Sequence, residues 1–395
     1  RRMDALGKRP AVLVMFDDMD AELHAELVKH AAVFYLWKYV PGFGRVLPSR
    51  LQTFGPINWR KLCDDLADYS DHIHVMGVFG LLFAHRLFGR VAGTPTLSVG
   101  VYHQNEFLYE PKRRRFPKEA QRIFRKVPSR NIVFFNDSTR ENYESFFSDE
   151  YSESPIIPIG IDIRDYTPPN PRVPFRIVSV GNLVEFKTYN EHVIRMVAGL
   201  RGRFSDISYH IYGTGKTHDR LEGLIRELKV TGQVQIKGAI PYSEFDRVVS
   251  EASVFVGSGT ALLEAAMLGV PALIGIESIE VPESYGFLCD IPNFSYNEYV
   301  AGQRKIRMAD AIANVFADKD FAGEIGAKCK AKAQEFSIDV TVEGLLNISD
   351  TSYTPRPFGM GDLLLFSAWL AQTAVADKLW RSDAFGDRRN QSFAA

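Results

Sequence analysis

Three glycine-bearing turns and one glutamate carry the chemistry suggested by this sequence. Gly181-Asn182, Gly213-Thr-Gly215 and Gly257-Ser258-Gly259 each follow a short apolar run. Glycine lets a ligand approach the backbone closely. The third turn opens a helical pattern over 260–268. A helix N-terminus offers free N–H groups and a positive dipole end to phosphate. Thr260 or Ser258 is placed to cap that helix. Glu264 lies about one turn in, where a carboxylate accepts hydrogen bonds from vicinal hydroxyls. Lys187 follows Gly181 by six residues and can bring a point charge to the same anion. Any one of these also reads as a loop glycine or a solvated side chain. Three such turns in one half of a chain favour an anion site.

The other half holds a second polar group, Tyr102-His103-Gln104-Asn105-Glu106, directly after a strand-like run. His103 is there either as a structural imidazole or as a group facing a ligand. His72 and His74 share one face of a strand by period-two spacing, but no third ligand is identifiable, so no metal is expected. The pair Asp17 and Asp18 reads as a solvated turn or as a contact to an acceptor hydroxyl. Residues 112–130 contain nine cations and one acid, among them Lys112, Arg113, Arg114, Arg115, Arg122, Arg125 and Lys126. Phe116 and Phe124 are interleaved. The run reads as a solvated face or as a grip on anionic lipid or a lipid-linked diphosphate. No nucleic-acid motif accompanies it.

These residues need a scaffold, and the composition can build one. The chain has 395 residues, 46% hydrophobic and 24% charged, enough for two domains with real cores and too apolar for disorder. Net charge is −1, so whole-chain electrostatics do not argue for nucleic acid. Cys63, Cys289 and Cys329 fit no disulfide framework or zinc spacing and are expected to be three buried thiols. The most apolar stretches, 77–88 and 363–376, are too short to span a bilayer, and no signal peptide is visible. A cytoplasmic protein follows, with the basic run as a means of peripheral attachment to the inner face of the plasma membrane.

Short apolar runs alternate with helical patterns through both halves, which predicts α/β architecture with parallel sheets. In the first half, strands are expected at 11–16, 72–76, 96–101, 132–135 and 156–159. A proline-rich linker, Tyr166-Thr-Pro-Pro-Asn-Pro-Arg-Val-Pro174, precedes the second series at 176–180, 207–212, 234–237, 253–256 and 271–276. The division expected is 1–168, 169–345 and a tail 346–395. The tail carries a helix over 361–380 whose Leu363, Phe366, Trp369, Leu370 and Thr373 pack back on the first domain or lie on a membrane.

Gly181-Asn-Leu-Val-Glu-Phe-Lys187, Tyr212-Gly-Thr-Gly215, Val234-Gln-Ile-Lys-Gly-Ala-Ile240 and Leu263-Glu-Ala-Ala-Met-Leu-Gly-Val-Pro271 form an ordered series. Val281-Pro-Glu-Ser-Tyr-Gly-Phe-Leu288 follows it. The series resembles the donor domain of the GT-B glycosyltransferases, most closely the retaining, nucleotide-sugar-dependent family 4. His74-Val-Met-Gly77, Val101-Tyr-His-Gln104 and Pro158-Ile-Gly-Ile-Asp162 extend the likeness into the first half. It runs over about residues 70–340 and is densest over 176–290. Ahead of residue 70 the family's glycine-rich first loop is replaced by Asp17-Asp-Met-Asp20.

The resemblance implies two Rossmann-like, doubly wound domains facing across a cleft. It implies an acceptor in the first and a nucleotide-sugar in the second, retention of configuration, no cofactor and no obligatory metal. Lys187 matches the basic residue on the donor diphosphate, and Glu264 the second glutamate of E-x7-E, which holds the ribose. Gly257, Ser258, Gly259 and Thr260 match the loop on sugar and phosphate. The stretch from Lys237 to Ile240 matches the loop framing the base, and His103 a cleft histidine. Asn105, Glu106, Asp17 and Asp18 are the acceptor-side candidates. Two positions depart from the pattern: Asn182 stands where an arginine is expected, and Val256 where the first glutamate is. An unusual donor, compensation by Lys216 or Glu283, or lost activity would each explain them. A nucleotide-sugar 2-epimerase of the same fold and a degenerate sugar-nucleotide-binding protein are the alternatives to a transferase.

Overall fold

The short apolar runs become parallel strands. The structure, a computed structural model, describes residues 1–16, 19, 21–69, 71–109, 114–349 and 353–380. Asp17, Asp18, Lys112 and Arg113 lie outside the described residues. The chain divides into two units. The first comprises Arg1–Phe135, Thr139–Ile157 and the described chain from Val342 onward; the second comprises Asn136–Ser138 and Pro158–Thr341.

In the first unit, β1 (Ala11–Val14) pairs in parallel with β2 (Ala32–Tyr35). A separate parallel ladder has the order β3 (His72–Met76), β4 (Thr96–Val101), β5 (Ile132–Phe134). All six residues of β4 are buried, as expected for a central parallel strand covered on both faces. The stretch 156–159, expected as a strand, makes only the single bridge of Ile156 to Phe134. The basic run forms the helix Arg115–Phe124, which buries Phe116 and Phe124 in the core. Those aromatics are therefore packing residues and not a stacking surface. The helix Met360–Trp380 sets Phe366 and Leu370 into the same core, with the Phe366 ring 5.6 Å from Phe54 and 6.0 Å from Phe116. Burying one such ring stabilises by about 1.5–3 kcal/mol, which holds this helix in the unit.

The second unit contains β6 (Arg176–Val180), β7 (Ser208–Tyr212), β8 (Val234–Gly238), β9 (Val254–Gly257) and β10 (Ala272–Ile274). They form one parallel sheet in the order β10-β9-β6-β7-β8. The chain reverses direction of travel across the sheet at β6, so the ends of β6 and β9 are neighbours at a topological switch point, where open α/β sheets bind ligands. The helix Thr260–Met267 leaves β9 and is apolar on most sides, with Leu262, Leu263, Ala265, Ala266 and Met267 buried. It packs against the helix Lys319–Gln334, whose Asp318 cap accepts from the Asp320 and Phe321 N–H groups at 2.9 and 3.0 Å. Gly326 allows that contact, since a Cβ there would lie 2.1 Å from the Gly269 carbonyl oxygen. Of the three cysteines only Cys329 is buried; Cys63 and Cys289 are partly exposed, so the expectation of three buried thiols holds at one of them.

Candidate functional site

Gly181 follows β6 and lies beside the turn that follows β7. The Gly181 N–H donates to the Tyr212 carbonyl at 2.9 Å, and the Leu183 N–H to that of Thr214 at 2.9 Å. A Cβ on Gly213 would sit 1.9 Å from the Gly181 carbonyl oxygen, and one on Gly215 2.1 Å from that of Leu183. These two glycines are thus required by the approach of one loop to another, before any ligand is considered. Gly181 differs. A Cβ there would meet the Lys187 ammonium at 2.6 Å. The lysine reaches back across the glycine, which holds its charge at the end of β6. Asn182, next in the chain, is exposed.

The β6–β9 register places Val178 opposite Phe255. With the Ser179 hydroxyl on the Val256 carbonyl at 2.6 Å, it makes the ends of β6 and β9 neighbours. The N-cap of the helix Thr260–Met267 is Gly259, at φ 66, and no side chain caps it. The expected Ser258 or Thr260 cap is therefore not formed; the Ser258 hydroxyl donates instead to Glu277 Oε1 at 2.9 Å. The first-turn N–H groups keep the anion-binding character of an uncapped helix start. Nothing lies within 4 Å of where a Gly259 Cβ would be, so the chain is not closely packed at this cap.

Glu264 is half-buried, and burial raises its carboxyl above the usual range. The Tyr242 hydroxyl donates to its Oε1 at 3.0 Å. Behind it, Arg164 grips Asp246 with two nitrogens, Nε to Oδ2 at 2.8 Å, and the guanidinium charge partly offsets the effect of burial on Glu264. Tyr242 is 65% exposed and was missed in the sequence, because its link to Glu264 spans a loop, a helix and a strand. Lys237 is exposed on β8 and Ile240 half-buried after it; the Gly238 carbonyl accepts from the Gly213 N–H at 2.8 Å, which ties the two turns together. Val256 is fully buried in the core and offers no contact to a ligand.

The first unit gathers His103, Asn105 and Glu106 in the loop after β4. The Asn105 N–H donates to His103 Nδ1 at 3.2 Å, and the Glu106 N–H to the His103 carbonyl at 3.0 Å. Glu106 Oε2 accepts from the Tyr102 N–H at 2.9 Å, so this carboxylate braces its own loop. Below it runs a chain of contacts: His72 Nε2 to Ser98 Oγ at 2.7 Å, Ser98 Oγ to His74 Nδ1 at 2.7 Å, and His74 Nε2 to the Tyr102 hydroxyl at 2.8 Å. Burial lowers both histidines, His74 to about 4. The alternate histidines thus meet on a serine.

Much of the basic run is paired. Arg114 contacts Asp377, Arg122 Nε lies 2.6 Å from Glu119, Arg125 forks onto Asp149 at 2.6 and 2.8 Å, and Arg130 is 3.6 Å from Glu153. Arg115 and Lys126 are exposed. Among the described residues, no helix is long and apolar enough to cross a membrane.

Comparison with known proteins identifies the fold. Residues 168–301 match the family model of the glycosyl transferases group 1. No curated protein sequence matches. Among solved structures, Anabaena HepE in complex with UDP-glucose is 14% identical, with 87% of this chain and 92% of that one covered and a TM-score of 0.59. Sucrose-phosphate synthase from Thermosynechococcus elongatus is 15% identical over 86% and 88%, with a TM-score of 0.57. S. aureus TarM, solved with fondaparinux, alpha-GlcNAc-glycerol and UDP, is 15% identical over 74% and 59%, with a TM-score of 0.52; this chain spans about three fifths of its length. The chain has the GT-B fold of the glycosyltransferases, and its second unit carries a glycosyl transferases group 1 segment.

Proposed function

We propose that the protein transfers a sugar, of hexosyl type, from a nucleotide-sugar to a glycan or lipid-linked acceptor. Configuration is retained, and neither a metal nor a cofactor takes part. The donor binds the second unit and the acceptor the first. The observation that carries the reading is one adjacency: β9, which leads into the uncapped start of the helix Thr260–Met267, pairs with β6, which leads into Gly181, over which Lys187 is folded. As the sugar–phosphate bond breaks, charge grows on the diphosphate. Fixed N–H dipoles and an ammonium stabilise that charge without reorganising, which is electrostatic catalysis. Glu264 holds the ribose hydroxyls, with Tyr242 beside it. His103, Asn105 and Glu106 serve the acceptor side. The acceptor chemistry and the exposed cations of the basic run suit surface polysaccharide or lipopolysaccharide assembly at the inner face of the plasma membrane.

The test is incubation with UDP-, GDP- and ADP-sugars, alone and with lipid-linked acceptors. Sugar transfer that depends on acceptor supports the reading. Conversion of the donor without acceptor would make the protein an epimerase. Binding with no turnover would make it a sugar-nucleotide-binding protein.

A further inference from the structure

The segment after β10 lies outside every motif considered so far, yet it is joined to both loops of the donor site. Gly275 donates its N–H to the Gly257 carbonyl at 2.7 Å, so the chain leaves β10 alongside the end of β9. Two residues on, Glu277 Oε1 accepts the Ser258 hydroxyl at 2.9 Å. Ser278 then adopts φ 61, a left-handed conformation that an L residue holds only when its surroundings enforce it. Its N–H donates to the Phe186 carbonyl at 2.7 Å, immediately before Lys187. The Ile279 carbonyl accepts from Thr188 Oγ1 at 2.8 Å. One side of this segment is therefore fixed to the loop that opens the helix, and the other to the loop that carries the lysine.

A carboxylate is a poor neighbour for a diphosphate and a good one for neutral hydroxyls. Glu277 is partly exposed, and its Oε1 is oriented by the Ser258 hydroxyl that opens the loop before the helix. On β9 itself, Val256 is fully buried and supplies no acceptor. Glu283, one of the residues considered as a compensating group, lies in a short antiparallel ladder opposite Arg307. Resting on the donor-site reading above, we propose that Glu277, held by Ser258, is the residue that reads the sugar-ring hydroxyls of the nucleotide-sugar. It is a specificity determinant supplied from the end of β10.

The test is calorimetric titration of wild type, Glu277→Gln and Ser258→Ala. The probes are UDP, GDP and ADP, and the matching UDP-glucose, GDP-mannose and ADP-glucose. With the nucleotide that wild type prefers, Glu277→Gln should bind the nucleoside diphosphate within about twofold of wild type and the nucleotide-sugar about tenfold more weakly, the usual effect of losing a charged hydrogen bond. Ser258→Ala should show a smaller loss, again confined to the nucleotide-sugar. Retained diphosphate binding reports that each variant is folded. If Glu277→Gln binds both ligands as wild type does, or loses both equally, the assignment is overturned and the donor site stands. If wild type binds none of the six, the donor-site reading itself fails and takes this assignment with it.

Discussion

The two units use their polar residues in opposite ways. In the second, the turns after β6 and β9 leave a helix start uncapped, a lysine folded over a glycine and two partly exposed glutamates beside them. In the first, several eye-catching residues contact one another: His72 and His74 share Ser98, and Arg125 holds Asp149. The contrast teaches that a cluster of chemically able residues is a site only when the fold leaves its groups facing outward. Glycine turns and helix starts report that from local sequence, whereas histidines and charge runs do not.

The largest effect that sharpens this contrast is on turnover. Lys187→Ala should lower kcat about 10²–10³-fold, the usual loss when one preorganised charge stabiliser is removed. Its melting temperature should stay close to wild type, because the side chain is not in a core. Steady-state kinetics beside a thermal melt checks both; wild-type kinetics would remove the lysine from the mechanism.

Next is a pair of opposite pH responses. Burial, followed by the charge of Glu277, raises the Glu298 carboxyl to about 7. A raised carboxyl contributes stability that is complete below its unfolded value near 4.5 and is lost as pH climbs through 7. His74, lowered to about 4, does the reverse: its contribution is complete above 6.5 and is lost as pH falls through 4. Each amounts to about 3 kcal/mol. Denaturant melts from pH 4 to pH 8 should therefore show Glu298→Gln removing the alkaline loss and His74→Gln the acidic one. Parallel pH profiles for both variants and wild type would contradict the opposition.

A tenfold effect is expected at the ribose contact. Glu264→Ala should weaken nucleotide binding about tenfold or more, while Tyr242→Phe, which frees the carboxylate from a competing donor, should leave it equal or up to about threefold tighter. Calorimetry distinguishes them, and a loss for Tyr242→Phe as large as for Glu264→Ala would make the hydroxyl a ligand contact. The smallest effect lies in the basic run. Replacing Arg122 and Arg125 with Ala should change sedimentation with phosphatidylserine vesicles by no more than about threefold, because both have carboxylate neighbours. Replacing the exposed Arg115 and Lys126 should cost about thirtyfold at low salt. Equal effects for the two pairs would mean that pairing does not matter to this surface.

Much of the second unit was legible because its strands are continuous apolar runs ending in glycine, and both Gly181 and Gly257 fall where those runs predict. Other features were not. β2 is four residues, three of them only half-buried, and directly follows a helical pattern, so no period marks it. The helix Trp59–Leu66 went unread, although Asn58, which accepts the Lys61 N–H at 3.2 Å, is the capping signal that could have found it. Glu277 fell between two motifs, ending at Pro271 and resuming at Val281. Its role depends on Ser258 bonding to it across nineteen residues of chain and not capping the helix. The pairing of the basic run required Asp149 and Asp377, which lie far along the chain.

The most direct test of the donor site is a crystal structure of the protein with the nucleoside diphosphate it binds best. The account predicts diphosphate oxygens about 3 Å from the first N–H groups of the helix Thr260–Met267 and from Lys187 Nζ, with the ribose on Glu264. A nucleotide seated elsewhere, with those groups untouched, would contradict it.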